Sequence, residues 1–254
     1  METIPGAIVI YSCQKHKNTR LKDFKLPKEY YNGWKVLVIL GNPELESEYE
    51  VIGNEITIRC EDGYIHLLKK VILSMKIIME MYTITYGILR CGDDLYFNEN
   101  NMKNFFNTIK NYSVLYDYVG RINQIVDNIT PKIDTFMLNY YLVHPEESPV
   151  SLDEMEKMIT IPHCTYISGV INYFSVHTCH VLVDYMSNPE INWNVFYKDE
   201  NDCYPFIIED VGIGYILQKE RISPANFSKI YTDNLSEFVS PLSSILAYHS
   251  NKYK

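Results

Sequence analysis

Short apolar runs that end in polar turns organise the N-terminal part of the chain. Ala7-Ile8-Val9-Ile10-Tyr11 passes directly into Ser12-Cys13, the pattern of a buried parallel strand that opens into a loop. Trp34 to Leu40 repeats it and stops at Gly41-Asn42-Pro43, a turn signal. Ile56 to Cys60 is a third such run, closed by Glu61-Asp62-Gly63. From Ile65 to Met81 the pattern changes: Leu68, Val71, Ile72, Met75, Ile78 and Met79 recur at helical spacing, which predicts an amphipathic helix. Tyr86 to Cys91 is a fourth strand, running into Gly92-Asp93-Asp94. Strands alternating with helical segments predict a doubly wound α/β layout with right-handed crossovers.

The C-terminal part is less regular. Met102–Ile109 reads as a helix, Ser113–Ile122 and Lys132–Val143 as extended, and 144–149 as a loop. Tyr166–Phe174 reads as a strand and Val176–Met186 as a helix. Phe206-Ile207-Ile208 is a fifth apolar run ending in Glu209-Asp210, with a helix from Val211 to Leu217. No internal repeat and no linker rich in Gly, Ser or Pro divides the chain, so one α/β domain is expected over residues 1–254.

Composition narrows the function classes. A formal charge of −9 with no Lys/Arg-rich stripe argues against a nucleic-acid surface. The basic stretch Lys15-His16-Lys17-Asn18-Thr19-Arg20 is suited to one phosphate group. The six cysteines show no metal-ligand spacing and read mostly as reduced core residues of an intracellular protein. The most apolar opening stretch, Ala7 to Tyr11, is too short for a secretory signal or a membrane span, so a cytoplasmic chain is expected.

In an open α/β sheet, ligands bind beyond the carboxyl ends of the strands. Polar residues gather there: Ser12-Cys13-Gln14, Asp62-Gly63-Tyr64, Gly92-Asp93-Asp94, and Glu209-Asp210 after the fifth run. Either acidic pair can instead cap a following helix. His163, His177 and His180 share no ligand geometry and read as structural. Trp193 reads either as a stacking platform for a ligand or as a core or edge aromatic.

The order of these elements resembles the beta-1,3-galactosyltransferase and Fringe-like superfamily of glycosyltransferases. The residues that carry the likeness are Asp62, Tyr64, Leu67 and Lys70, then Gly92-Asp93-Asp94 with Leu95-Tyr96-Phe97-Asn98, then Tyr166-Ile167-Ser168-Gly169 with Tyr173-Phe174-Ser175. Glu209-Asp210-Val211 with Gly212 or Gly214 completes it. Arg90 stands at the family's Lys, and the likeness spans roughly residues 7 to 252.

The resemblance implies a single GT-A domain with a central, mostly parallel sheet flanked by helices. Residues 1–100 would form the nucleotide-binding half and 101–254 the acceptor-binding half. Ser12 and Cys13, with Lys15 and Arg20, would line the uridine end of a UDP-sugar pocket. Asp62 and Lys70 would contact the nucleotide or hold its loop. Asp94 would bind Mn²⁺ or Mg²⁺, and His249, followed by Lys252, would complete the metal site. Asp210 would act as general base on a hydroxyl of a glycan or other acceptor. Without the membrane anchor of Golgi members, a cytosolic enzyme of viral or microbial kind is implied.

This assignment suits the chemistry. A cation held by carboxylate stabilises the diphosphate leaving group as charge develops. A carboxylate on the opposite face of the anomeric carbon takes the acceptor proton, which predicts inversion. One departure stands out: Gly92 occupies the position of the family's first aspartate, which leaves Asp94 as ligand with Asp93 in support. A catalytically inactive sugar- or nucleotide-binding relative is the alternative that follows. A nucleotidyltransferase is a second, but it lacks the Gly-rich loop that grips a triphosphate.

Overall fold

A computed structural model describes residues 1–23, 30–112, 116–124, 132–133, 139, 142 and 160–250. The first strand, β1 (Glu2–Tyr11), lies between β3 (Trp34–Gly41) and β6 (Tyr82–Gly92), parallel to both. β3 continues in parallel to β5 (Glu55–Ile58), and the edge strand β4 (Tyr49–Ile52) returns antiparallel to it. The short β2 (Tyr30–Tyr31) pairs with the start of β3. On the other side, β11 (Thr165–Ser175) runs antiparallel to β6 and to β8 (Tyr118–Gln124), and β12 (Ala225–Asn226) closes that edge. The nine strands form one sheet with a parallel centre, drawing on both the N-terminal and C-terminal halves of the chain.

Alternation along β1 sends its side chains into two cores. Ala7, Val9 and Tyr11 face one layer; Ile8 and Ile10 face the other. The first layer is made by α2 (Leu67–Met81), α4 (Val176–Ser187) and α5 (Glu209–Lys219). In α2 the residues Leu68, Val71, Ile72, Met75 and Ile78 are fully buried, and each such side chain contributes about 1.5–3 kcal/mol. The second layer holds α3 (Glu99–Tyr112) through Met102, Phe105, Phe106 and Ile109, with Phe106 stacked on Trp34 at 4.4 Å. Ser175 ends β11 and caps α4, its hydroxyl accepting from the Thr178 N–H at 3.1 Å.

A second, three-stranded sheet sits at the carboxyl edge of the first. Its strands are β7 (Leu95–Phe97), β13 (Tyr231–Thr232) and β14 (Ala247–His249), with β14 central. A short helix, α1 (Arg20–Asp23), follows β1, and another, α6 (Leu235–Phe238), follows β13.

Apart from two segments, the strands and long helices expected from the sequence occur where the periodicity places them. Phe206-Ile207-Ile208 is a correction: it forms a turn, not a strand. Phe206 and Ile207 are buried under α5, and so short an apolar run satisfies a buried turn as well as a strand. Glu209 and Asp210 consequently open a helix instead of following a strand. Of the expected extended segment 132–143, Lys132–Ile133 forms β9, paired with β10 (Thr160–Ile161), while Asn139 and Leu142 carry helical backbone. The rest of that segment, the loop 144–149, residues 113–115 and Lys252 lie outside the described residues. All six cysteines are free, and five are buried. No helix among the described residues is long and apolar enough to cross a membrane.

The centre of the sheet leaves no room at Gly87, which faces Gly6 on one side and Ser175 on the other. A Cβ there would be driven into the Phe174 carbonyl, and a backbone atom cannot rotate away. Gly87→Ala is expected to lower stability to urea by about 2–4 kcal/mol; a loss below about 0.5 kcal/mol would contradict this packing.

Candidate active site

Ser12, Asp62, Lys70 and Asp93 come together at the carboxyl ends of β1, β5 and β6. The loop after β1 is tied to the loop after β5 by one buried cation. Lys70 Nζ donates to the Ser12 carbonyl at 2.8 Å and to Asp62 Oδ1 at 2.7 Å, and only 3% of Lys70 is exposed. Asp62 accepts in addition from the Gln14 N–H at 2.7 Å and the Gly41 N–H at 2.9 Å. A buried lysine needs such a partner, because an unpaired charge away from water is costly. Lys70 and Asp62 thus lock three strand ends together.

Ser12 continues the network. Its hydroxyl donates to Asp93 Oδ2 at 2.6 Å, and Arg20 Nη1 lies 3.4 Å from Asp93 Oδ1. Asp93 is buried and turned back toward β1. Of the basic stretch, Arg20 therefore pairs with Asp93, while Lys17 pairs with Glu55. Lys15 is exposed. Cys13 is half-buried at the start of a 3₁₀ turn (Gln14–His16), and burial pushes its thiol pKa up.

Asp94 points the other way, toward the small sheet. Residues 93–94 form the turn between β6 and β7 and cap no helix; Asn98 caps α3, accepting from the Asn101 N–H at 3.1 Å. In the small sheet His249 lies opposite Leu95. That register brings His249 Nε2 to 3.2 Å from Asp94 Oδ2, although the two residues are 155 positions apart. Ser250 secures the corner by donating its N–H and its hydroxyl to the Asp94 carbonyl. Gly92 leaves space for this carboxylate, since a Cβ at that position would stand 2.8 Å from Asp94 Oδ1.

The two side chains polarise each other. Burial pushes the Asp94 carboxyl up, but the hydrogen bond and charge of His249, with Arg20, hold it below its ordinary value. The Asp94 hydrogen bond raises the His249 pKa against the effect of burial, and Asp233 adds to it. Neighbouring ligand atoms on an octahedral divalent cation lie about 3 Å apart, so the spacing of Asp94 Oδ2 and His249 Nε2 fits two adjacent positions on such an ion. Among the described residues, no group of three or more His, Cys, Asp or Glu side chains is arranged to hold a metal. Asp94 and His249 are thus the two candidate ligands among the described residues.

The adjacent acids Glu209 and Asp210 have opposite environments. Asp210 is half-buried in the first turn of α5; Oδ1 accepts from the Val211 N–H at 2.9 Å and Oδ2 from the Gly169 N–H at 3.2 Å. Neither acid caps α5, whose N-cap is Ile208. Glu209 is buried and ion-paired with Arg90, Nη2 to Oε2 at 3.0 Å. Arg90, itself 4% exposed, lies over the Tyr11 ring at 5.6 Å. Sequence reading singled out Arg90 only as a substitution in a motif, yet an arginine in an otherwise apolar strand signals a buried counter-charge.

Hydrogen-bonding capacity is left unused here. Arg90 Nε and Nη1, Glu209 Oε1 and Asn172 Oδ1 are buried without a hydrogen-bond partner, and Asn172 lies opposite Arg90 in the sheet. Each such atom costs about 1–3 kcal/mol. A cavity of about 820 Å³ is lined by Arg121, Lys229, Tyr231, Thr232, Ser240 and Ser243 among others. Tyr231 in this lining donates its hydroxyl to Ser168 Oγ at 3.0 Å, and its ring stands edge-on to His249. His163, His177 and His180 are exposed and lie outside this site. Trp193 packs partly buried against the first core.

No protein-family model matches the chain, and no curated protein sequence matches it. Among solved structures, mouse xyloside xylosyltransferase 1 in its apo form is similar, with a TM-score of 0.45 at 10% identity over 97% of this chain and 98% of that one.

Burial pushes the Glu209 carboxyl from its ordinary 4.5 up to about 7, because the single bond from Arg90 only partly offsets lost solvation and Asp210 adds repulsion. Between those two values the folded chain holds a proton that the unfolded chain has released, so stability falls as pH rises through this window. Glu209→Gln removes that dependence. Urea denaturation at pH 4.5 and pH 7.5 is expected to show wild type losing on the order of 2 kcal/mol relative to the variant. A difference that does not change with pH would contradict the burial of this carboxyl.

Proposed function

We propose that the protein is a metal-dependent, inverting glycosyltransferase that moves a sugar from a nucleotide diphosphate, UDP in the first instance, to a hydroxyl of a glycan or other acceptor. The observation that carries this reading is the Asp94–His249 pair, spaced for a divalent cation and placed on the same strand-end edge as Asp210. Gly92 and Val170 are neighbours across β6 and β11, and Gly169 binds Asp210, so the two centres adjoin. The resemblance in motif order to the beta-1,3-galactosyltransferase and Fringe-like enzymes supports the same reading.

Asp94 and His249 would hold Mn²⁺ or Mg²⁺, which when bound serves as a Lewis acid for the diphosphate leaving group. Ser12 and Cys13 would border the nucleotide, with Lys15 and Arg20 supplying positive charge at its rim. Lys70 and Asp62 fix the loops that frame it, and Asp93 anchors the turn that presents Asp94. Asp210 would take the acceptor proton. Two backbone N–H groups aim its carboxylate. Glu209 is ill suited to that task because its carboxylate is enclosed with Arg90. The hydroxyl-lined cavity beside Tyr231 is the natural place for a polyhydroxylated acceptor. The unpaired groups behind Gly169 cost stability without strengthening the fold, as polar groups kept for a site do.

The test is release of UDP from UDP-glucose, UDP-galactose, UDP-xylose and UDP-N-acetylglucosamine with Mn²⁺. Turnover of at least one donor is expected, with loss of activity in Asp94→Ala and a fall of about 10²–10⁴-fold in Asp210→Asn. Binding of UDP without turnover of any donor, or full activity in Asp210→Asn, would contradict the proposal.

A further inference from the structure

Asp233 lies on the opposite side of the His249 ring from Asp94. Its Oδ1 stands 2.7 Å from His249 Nδ1, while Asp94 Oδ2 faces Nε2. The small sheet produces this arrangement: Tyr231 pairs with Ala247 and Thr232 with Tyr248, so one further step in the same register brings Asp233 beside His249. We infer that Asp233 is a positioning residue, fixing the ring of His249 so that Nε2 is presented to the cation. This rests on the proposal that Asp94 and His249 hold that cation.

A histidine ligates through one nitrogen only when the proton resides on the other, and a carboxylate on the far nitrogen fixes both tautomer and ring angle. Asp233 supplies that contact. The Tyr231 ring, edge-on to His249 with 6.1 Å between centroids and an interplanar angle of 83°, restrains the ring from the side. Arg121 Nη1 approaches Asp233 Oδ2 at 3.9 Å, and the same guanidinium lies over the Tyr231 ring at 5.1 Å. Asn234, the next residue, accepts from the Ser236 and Glu237 N–H groups to cap α6, which pins the backbone that carries Asp233. Asp233 is not placed as a third ligand, because the two nitrogens of one imidazole point away from each other and it occupies the side remote from Asp94.

The experiment titrates Mn²⁺ into the full chain saturated with UDP and follows the free-ion signal by electron paramagnetic resonance. Wild type, Asp233→Ala, Asp233→Asn and His249→Ala are compared, with melting temperature and metal-free UDP binding as controls. Asp233→Ala is expected to weaken Mn²⁺ binding about 10–100-fold with both controls unchanged. Asp233→Asn, which keeps an oxygen acceptor for Nδ1–H, is expected to fall between Asp233→Ala and wild type. Loss of Mn²⁺ binding in His249→Ala, with Asp233→Ala within twofold of wild type, would overturn the role of Asp233 and leave the metal reading standing. No Mn²⁺ uptake by wild type would overturn the metal reading, and the role of Asp233 with it.

Discussion

Tyr11 lies opposite Gly92 in the parallel pairing of β1 and β6, and the geometry of the whole strand-end edge depends on that register. It sets Ser12 beside Asp93, so that a serine at the end of one strand clamps the aspartate at the end of the next. With Asp93 held inward, the following residue, Asp94, is directed outward toward the small sheet. A slip of one residue would reverse the facing of every side chain on β1. It would exchange the Ala7-Val9-Tyr11 face for Ile8 and Ile10 and leave Lys70 without the Ser12 carbonyl. The packing that stabilises two cores therefore also fixes the register of the polar edge.

Environment then separates groups of identical chemistry. Asp93 and Asp94 are neighbours in sequence, yet one closes a buried network with Ser12 and Arg20 while the other meets a histidine at a partly open corner. Glu209 and Asp210 divide in the same way. The glutamate is enclosed with Arg90 and raised by burial, whereas backbone N–H groups hold the aspartate at the helix start. In both pairs, one acid is tied into a buried ionic network, while the other is met by a histidine or by backbone N–H groups.

Much of this was legible in the sequence, for identifiable reasons. The α2 periodicity from Leu68 to Ile78 and the alternation in β1 reflect burial against extensive surfaces, and burial leaves a strong pattern. The polar strand ends could be located once the strands were placed. The small sheet was not legible: β13 and β14 have two and three residues, too few for any period to register. Without it, nothing in the chain connects Asp94 to His249, and no spacing signal points to Asp233. The resemblance implied His249, but the pairing of β14 with β7 supplies the physical reason it lies beside Asp94. Phe206–Ile208 misled for the opposite reason, since burial without length does not distinguish a strand from a turn.

The central claim, that Asp94 and His249 share a divalent cation, is tested most directly by anomalous X-ray diffraction at the manganese edge from crystals grown with UDP and Mn²⁺. The proposed site predicts a single strong peak per chain between Asp94 Oδ2 and His249 Nε2, at about 2.0–2.3 Å from each. A peak elsewhere on the chain, or none at this corner with UDP bound, would contradict it.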